Sequence, residues 1–162
     1  MSKDDEILRI LEDNARVSDK DIATMLDIPV EEVSRIIKSM EEQKIIRKYK
    51  TVINWEKFGR EKVYAMIDVN IHPERDRGYD SIAERLMRFS EVRNLFLVSG
   101  MYDLFVLVEG NNMKEVAGFV AQKLAPLPQV TSTTTHFLLK KYKEDGDILF
   151  DREEAERQPI SL

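Results

Sequence analysis

Three polar side chains, Ser34, Arg35 and Lys38, recur at a spacing that places them on one side of a helix. An arginine can bond both acceptors on the major-groove edge of guanine, whereas a serine can bond a base or a phosphate. Lys48 and Lys50 follow in a basic run and suit phosphate contacts. Each residue alone is more often a solvated group on an amphipathic helix. Taken together, the five predict binding to double-stranded DNA.

Residues 18–40 contain the elements that would hold these side chains. Ser18 suits a helix N-cap, with Asp21 three residues later, and Pro29 suits the first turn of the following helix. The apolar positions of that second helix repeat at i, i+4 and i+7, at Val33, Ile37 and Met40. This spacing predicts a helix-turn-helix, and Ser18 is included among the DNA-binding candidates.

Two flanking segments complete the predicted front domain, residues 1–59. A first helix is expected over about residues 5–13, and the β-branched run IIRKYKTVI, residues 45–53, predicts a strand or wing that leads into the linker. These elements together predict a winged helix-turn-helix. Glu31 and Glu32 lie at the end of the recognition helix that usually enters the groove, so we expect modest non-specific affinity and a strong dependence on salt.

Residues 60–142 predict a second domain with four strands and two helices. Apolar residues alternate over 63–71, and further strands are expected at 92–99, 103–109 and 130–139. The helices are expected at two intervening segments, residues 79–89 and 112–125. The resulting order is the ferredoxin-like βαββαβ pattern, so the fold class is α+β.

The third strand of this domain, LFVLV, is apolar on both faces, and its two helices can cover only one face of the sheet. A second copy of the chain is the natural cover for the other face. The sequence therefore predicts a homodimer. Two-fold symmetry would also place two recognition helices one DNA turn apart.

Composition limits the class of protein. The chain has 162 residues, 43% hydrophobic and 34% charged, and it has no cysteine, which excludes disulfides. No run approaches the roughly 20 apolar residues that span a bilayer, so a cytoplasmic protein without membrane contact is expected. The net charge is −5, yet residues 33–59 hold seven basic and three acidic residues, a net +4. This local excess agrees with the DNA-binding prediction.

The two histidines and the end of the chain indicate little about the function of the protein. The two histidines, His72 and His136, show no metal-ligand spacing, and no catalytic motif is present, so neither a metal, a cofactor nor an enzyme is expected. Residues 143–162 form an acidic extension with one apolar cluster, residues 148–150, and a helix-compatible run, DREEAERQ. We expect this extension to be partly ordered.

Four stretches of the chain, taken in order, resemble the Lrp/AsnC (feast/famine) family of bacterial and archaeal regulators. They are EILRILEDNARVSDKDIA, YKTVINWEKFG, VSGMYDLFVLVEG and THFLLKKYK, and the resemblance covers about residues 4–142. It implies a winged helix-turn-helix joined to a ferredoxin-like domain that senses a small effector, typically an amino acid. It also implies dimers that assemble further into tetramers or octamers.

The chain departs from the family pattern in the front domain. Pro29 stands where the family usually opens the recognition helix with serine or threonine, and Ile36 stands where a basic residue is common. The frequent glycine before the wing is replaced near Lys44. These departures leave the target DNA sequence open.

The resemblance also implies an effector pocket at the turn between the second and third strands. This turn consists of Ser99, Gly100, Met101, Tyr102 and Asp103. Gly100 can take a positive φ and let backbone N–H groups face an α-carboxylate, while Asp103 can accept from an α-ammonium group. Thr134 and His136, from a neighbouring subunit, complete the candidate pocket. The alternative is a plain hairpin in which Gly100 turns the chain and Asp103 caps it.

Two other functions share this architecture. One is a tetrapyrrole-processing enzyme of the sirohaem decarboxylase type, although the chain has only two histidines for such chemistry. The other is an effector sensor whose DNA binding has decayed, which Pro29, Glu31 and Glu32 motivate.

Overall fold

The structure, a computed structural model, describes residues 2–73, 75 and 78–150. They fall into two compact units, divided between Ile53 and Asn54. Among these residues, no helix has both the length and the apolar character that crossing a bilayer requires.

The first unit contains three helices, α1 (Lys3–Asp13), α2 (Asp19–Leu26) and α3 (Val30–Glu42). Its core consists of Ile7, Ile22, Ala23, Val33, Ile36, Ile37 and Met40. Ile36, at the position where the family often has a basic residue, is buried in this core. Asp27 adopts a left-handed conformation with φ 53° and ends α2, while Pro29 is the N-cap of α3. The predicted helix-turn-helix is confirmed.

The strand predicted for residues 45–53 is not formed, although the structure describes all of them. A β-branched run needs a neighbouring strand to pair its backbone groups, and the described residues of the first unit are otherwise helices and turns. The Ile46 N–H instead donates to the Met40 carbonyl at 3.2 Å. Lys44 turns the chain with φ 60°, a conformation that favours glycine.

The second unit contains an antiparallel four-stranded sheet in the order β2-β3-β1-β4. Its strands are β1 (Val63–Ile71), β2 (Val92–Leu97), β3 (Leu104–Gly110) and β4 (Val130–Phe137). The helix α4 (Asp80–Leu86) follows β1, and α5 (Met113–Phe119) follows β3 and continues as a π-helical segment, Val120–Leu124. This order confirms the predicted βαββαβ fold.

The two faces of this sheet differ. One face packs against the helices through residues that alternate along the strands, such as Ile67 and Val106, which are fully buried. The opposite face, which we call the open face, includes Met66, Phe105 and Leu107, which are only partly buried, and Phe96, which is exposed. The third strand is therefore apolar on both faces, as predicted.

Both outer pairings of the sheet contain an irregularity. The register of β2 against β3 shifts between Val92 and Asn94, and that of β1 against β4 shifts between Asn70 and Ile71. The first shift lies at the start of β2, and the second lies at the end of β1, opposite the start of β4.

Beyond β4 the chain forms a short hairpin from β5 (Lys143–Glu144) and β6 (Asp147–Ile148). Asp145 and Gly146 have φ 47° and 94°, and two left-handed residues of this kind suit a tight two-residue hairpin turn. Part of the acidic extension is thus ordered. The helix-compatible run, residues 151–158, lies outside the described residues.

Candidate DNA-binding surface and effector turn

The exposed side of α3 is where the structure places the predicted reading residues. Ser34, Arg35 and Lys38 are all exposed, whereas Val33 and Ile37 on the same helix are buried in the core. The three polar side chains therefore face solvent on a helix whose other side is fixed by packing. This arrangement can present a guanidinium, an ammonium and a hydroxyl to another molecule.

Ser34 has a partner that the sequence did not reveal. Its hydroxyl donates to the Oδ2 atom of Asp19 in the first turn of α2. The serine oxygen keeps its acceptor lone pairs, but a carboxylate now lies beside the reading side of α3. No short-range pattern could have indicated this contact, because the two residues are 15 positions apart and belong to different helices.

Ser18 is the N-cap of α2. Its Oγ accepts a hydrogen bond from the Asp21 N–H at 3.2 Å, and its hydroxyl donates to the Asp21 carboxylate at 2.6 Å. The capping interaction expected from the sequence is confirmed. A cap of this kind fixes the start of the helix that precedes the recognition helix.

Residues 45–53, which we call the basic segment, include the exposed side chains of Lys48 and Lys50. Tyr49 lies between them, and its hydroxyl donates to Glu41 Oε1 at 2.9 Å. Burial, with contributions from the nearby Glu41 carboxylate, raises the pKa of Tyr49 to about 12. Tyr49 therefore stays protonated and holds the basic segment against the last turn of α3.

The turn of residues 99–103 has the backbone conformation that the sequence suggested. Gly100 has φ 149°, which a residue with a side chain rarely adopts. Val98 N–H donates to the Asp103 carbonyl at 2.9 Å and closes the turn. Ser99 and Met101 are exposed, and Tyr102 is partly buried.

Asp103 is engaged within its own chain. Its Oδ2 accepts from the Ile71 N–H at 2.8 Å, and its Oδ1 accepts from the Tyr79 hydroxyl at 3.4 Å. Its backbone N–H donates to the Val69 carbonyl at 3.1 Å. Asp103 thus joins the start of β3, the end of β1 and the start of α4. A carboxylate has about four acceptor positions, so capacity for a further donor remains.

Thr134 and His136 lie on β4, away from the turn of their own chain. The register pairs Thr134 with Asp68, and His136 Nε2 lies 3.0 Å from Asp68 Oδ2. Because β1 separates β4 from β3, one chain does not bring these two side chains next to Gly100.

A groove of about 370 Å³ lies between α4 and β2. Leu97 and Leu104, which flank the turn of residues 99–103, line it together with Tyr79, whose hydroxyl bonds Asp103. Its remaining wall is largely apolar but includes charges of both signs at Asp80 and Arg93. Within the described part of the chain, no group of three or more histidine or carboxylate residues could hold a metal ion.

Two family models match the chain. Residues 3–47 match a model described as winged helix-turn-helix DNA-binding, and residues 64–148 match the Lrp/AsnC ligand binding domain. The first match contains all three helices of the first unit. The second contains the four-stranded sheet and the turn of residues 99–103.

Relatives with similar sequences cover nearly the whole chain. The uncharacterized HTH-type transcriptional regulator YugG of Bacillus subtilis is 48% identical over 160 residues, 98% of this chain and 96% of its own. The HTH-type transcriptional regulator LrpA of Pyrococcus horikoshii is 29% identical over 141 residues, 87% of this chain and 97% of its own.

Solved structures share the fold. AsnC of Escherichia coli superposes with a TM-score of 0.69 at 21% identity, covering 88% of this chain and 93% of that chain. A transcriptional regulator of Neisseria meningitidis, solved in complex with L-methionine, superposes with a TM-score of 0.72 at 23% identity. That match covers 89% of this chain and 92% of that chain.

The two sequence relatives are named as regulators rather than enzymes, in agreement with the prediction that the chain is not an enzyme. The helix-turn-helix with its exposed basic face, the βαββαβ sheet and the matches over both units lead to one assignment. The chain belongs to the Lrp/AsnC family of transcriptional regulators, with a DNA-binding helix-turn-helix domain followed by a ligand-binding domain.

Proposed function

We propose that this regulator binds specific DNA sites as a homodimer and that a small effector, an amino acid, changes this binding. The observation that carries the proposal is the exposed face of Arg35 and Lys38 on α3, with the basic segment held beside the same helix by Tyr49. Such a protein acts in the compartment that holds the DNA, which we expect to be the cytoplasm.

In this proposal α3 enters the major groove. Arg35 reads a guanine edge, and Ser34 accepts from a base or bridges to it through water, since its own proton is given to Asp19. Lys38, Lys48 and Lys50 neutralise phosphates, and Ser18 presents the start of α2 to the DNA backbone.

The binding of one such unit is weak for an electrostatic reason. Asp19 lies beside Ser34, and Glu31 is exposed in the first turn of α3. Both carboxylates repel phosphates, so several basic contacts are partly offset. Two units that bind the same DNA molecule together overcome this weakness, because the second contact is then intramolecular.

The open face of the sheet is the surface we propose for the dimer contact. In one chain Met66, Phe105 and Leu107 are only partly buried and Phe96 is exposed, and a second copy would bury them. Thr134 and His136 lie on the same sheet, so contacts between copies can bring them near another chain's effector turn. Further assembly into tetramers or octamers belongs to this proposal.

The turn of residues 99–103 is the proposed effector site. Backbone N–H groups next to Gly100 can bind an α-carboxylate, and the remaining acceptor positions of Asp103 can bind an α-ammonium group. The groove that begins at Leu97 and Leu104 offers an apolar wall for a side chain. The Neisseria meningitidis regulator with the same fold was solved with L-methionine, which supports an amino acid as the effector class.

Fluorescence anisotropy with DNA from the regulator's own promoter tests this function. We expect binding at low salt that weakens steeply as salt rises, and a shift of the binding curve with at least one amino acid. A thermal-shift screen against the twenty amino acids identifies the effector, because its binding raises the unfolding midpoint as its concentration increases. No DNA binding at low salt, with or without amino acids, would exclude the proposal.

The two carboxylates near the reading face, Asp19 and Glu31, favour a second candidate, a sensor that no longer binds DNA. Amino-acid binding in calorimetry combined with no retardation of any DNA fragment would select it.

A further inference from the structure

We propose that the segment of residues 140–150, here called the strap, fastens the linker, residues 50–62, to the ligand-binding unit. It thereby keeps the tether to the DNA-binding unit short. The inference rests on the proposed function, in which the two DNA-binding units of a dimer bind one DNA molecule. It assigns a role to a part of the chain that lies beyond the βαββαβ fold.

Asn54, the first residue of the second unit, connects the linker to the strap through both ends of its amide. Its Nδ2 donates to the Leu149 carbonyl at 3.0 Å, and its Oδ1 accepts from the Lys57 N–H at 2.9 Å. The first bond reaches across 95 positions of sequence, and the second caps the linker turn. The Arg60 N–H closes that turn by donating to the Trp55 carbonyl at 3.0 Å.

The strap is itself held at several points. The Leu149 N–H donates to the Tyr142 carbonyl at 2.9 Å, and the rings of Tyr142 and Phe150 have centroids 5.5 Å apart. Lys140 Nζ lies 4.9 Å from the Phe150 ring centroid, and Lys141 Nζ lies 3.6 Å from that of Tyr64 on β1. The Leu149 carbonyl is therefore presented to Asn54 from an anchored position.

The linker has a second attachment nearer the sheet. Lys62 forms an ion pair with Glu109 of β3, and its Nζ lies 4.8 Å from the Trp55 ring centroid. With the strap in place the chain leaves the second unit at Asn54. Without it, the linker is attached to the sheet through the ion pair of Lys62, eight residues further along the chain, and Trp55 is attached through its contact with Lys62.

This difference changes the length of the tether. Tyr49 is bonded to α3, so residues 50–53 form the tether when Asn54 is held. The tether extends to residues 50–61 at most, when Asn54 is released and the contact of Lys62 with Trp55 opens as well. The effective concentration of a tethered site falls as about the −3/2 power of tether length, so a threefold longer tether lowers it about fivefold. A dimer that binds DNA through both of its DNA-binding units would lose affinity by that factor. The affinity of a single DNA-binding unit would not change.

The variant Asn54→Asp tests the strap bond selectively. It keeps an oxygen that can accept from Lys57 N–H but removes the amide donor to Leu149. Phe150→Ala is a second, independent variant, because it removes the ring contact with Tyr142. The matched control is Asp147→Asn, an exposed change in β6, whose partner Glu144 is paired through the backbone strand register.

In the full-length protein, two DNA probes distinguish binding through one DNA-binding unit from binding through both. One is the promoter fragment that the wild type protects from cleavage, and the other is a duplex of about 10 base pairs, one helical turn, taken from that fragment. Hydrogen exchange of the Leu149 amide reports whether the strap has opened.

We expect Asn54→Asp and Phe150→Ala to exchange faster at Leu149, to bind the long fragment more weakly by up to about fivefold, and to bind the short duplex as the wild type does. Asp147→Asn should match the wild type in all three measurements. The inference is overturned by unchanged exchange at Leu149, by faster exchange without loss of long-fragment affinity, or by equal losses on both duplexes. A wild type that binds neither duplex would instead overturn the proposed function itself.

Discussion

The Oδ2 atom of Asp103 accepts a hydrogen bond from the backbone N–H of Ile71 at 2.8 Å, which joins the start of β3 to the end of β1. The residue that closes the candidate effector turn is therefore also a structural tie within the sheet. A ligand that donates a hydrogen bond to Asp103 shares this carboxylate with the backbone N–H of Ile71 on β1. Binding at the turn and stability of the sheet are expected to be coupled.

Replacement of Asp103 by alanine should destabilise the fold. It leaves the partly buried Ile71 N–H without its acceptor, a loss of about 1–3 kcal/mol in the free energy of unfolding. Asp103→Asn retains a side-chain oxygen and should lose less. Urea unfolding measures both, with the slope of the transition held in common. Tyr79→Phe is the control, since its bond is longer, and an alanine variant as stable as wild type would refute the assignment.

Gly100→Ala isolates the backbone conformation of the turn. A Cβ at this position would have no atom within 4 Å, so any loss comes from the φ of 149° and not from a clash. We expect a loss of about 1–3 kcal/mol in stability and a weaker effector response.

The matched control for Gly100→Ala is Gly118→Ala in α5, which also has open space at Cβ but no positive φ. That change should stabilise the protein by about 0.5–1 kcal/mol. Thermal denaturation would show midpoint shifts of opposite sign, and shifts of the same sign would contradict the argument.

Arg35→Ala and Lys48→Ala should weaken DNA binding in different ways. Loss of a guanine-reading arginine should cost about 1–3 kcal/mol on the preferred site and relax the base preference there. Loss of a phosphate-contacting lysine should weaken binding to all sequences and reduce the salt slope by about one. Competition titrations at several salt concentrations separate the two, with Lys114→Ala in the other unit as control. Identical loss of preference in both variants would remove the distinction.

Glu91 should make stability depend on pH in the acidic range. A hydrogen bond and charge from Lys123 lower the pKa of Glu91 from its ordinary value of 4.5. Because the pKa is depressed in the folded state, this contribution is present above pH 4.5 and is lost as pH falls through the folded value. Glu91→Gln should therefore be less stable than wild type at pH 7, by up to about 1 kcal/mol, and equal to it at low pH. A gap that persists at low pH would point to lost packing.

The elements of this fold could be predicted wherever a periodic pattern coincided with a buried face. The alternation along residues 63–71 is reproduced by the burial of β1, and the helical repeat of Val33, Ile37 and Met40 is reproduced in the core of the first unit. Such patterns are visible in the sequence because the positions that are removed from water hold apolar side chains. Caps such as Ser18 were equally visible, because they act within three residues.

The strand prediction that was wrong, and the contacts that the sequence did not reveal, both depend on residues that are distant in sequence. The β-branched run of residues 45–53 has strand propensity, but a strand forms only beside another, and the first unit offers none among its described residues. The bonds of Asp103 to Ile71 and of Asn54 to Leu149 join residues 32 and 95 positions apart. Local spacing contains no record of them. The family resemblance predicted Asp103 as an effector contact, with a capped hairpin as the alternative, and its bonds to Ile71 and Tyr79 are visible only in the fold.

The two register shifts in the outer pairings of the sheet have a consequence for how copies of this chain can meet. An outer strand with an uninterrupted row of N–H and C=O groups is a template on which another chain can extend the sheet without limit. The register skips Arg93 on β2 and Thr131 on β4, so each outer row is interrupted near one end of its strand. For the proposed dimer, these interruptions disfavour extension of the sheet at its outer strands and so favour contact through the open face.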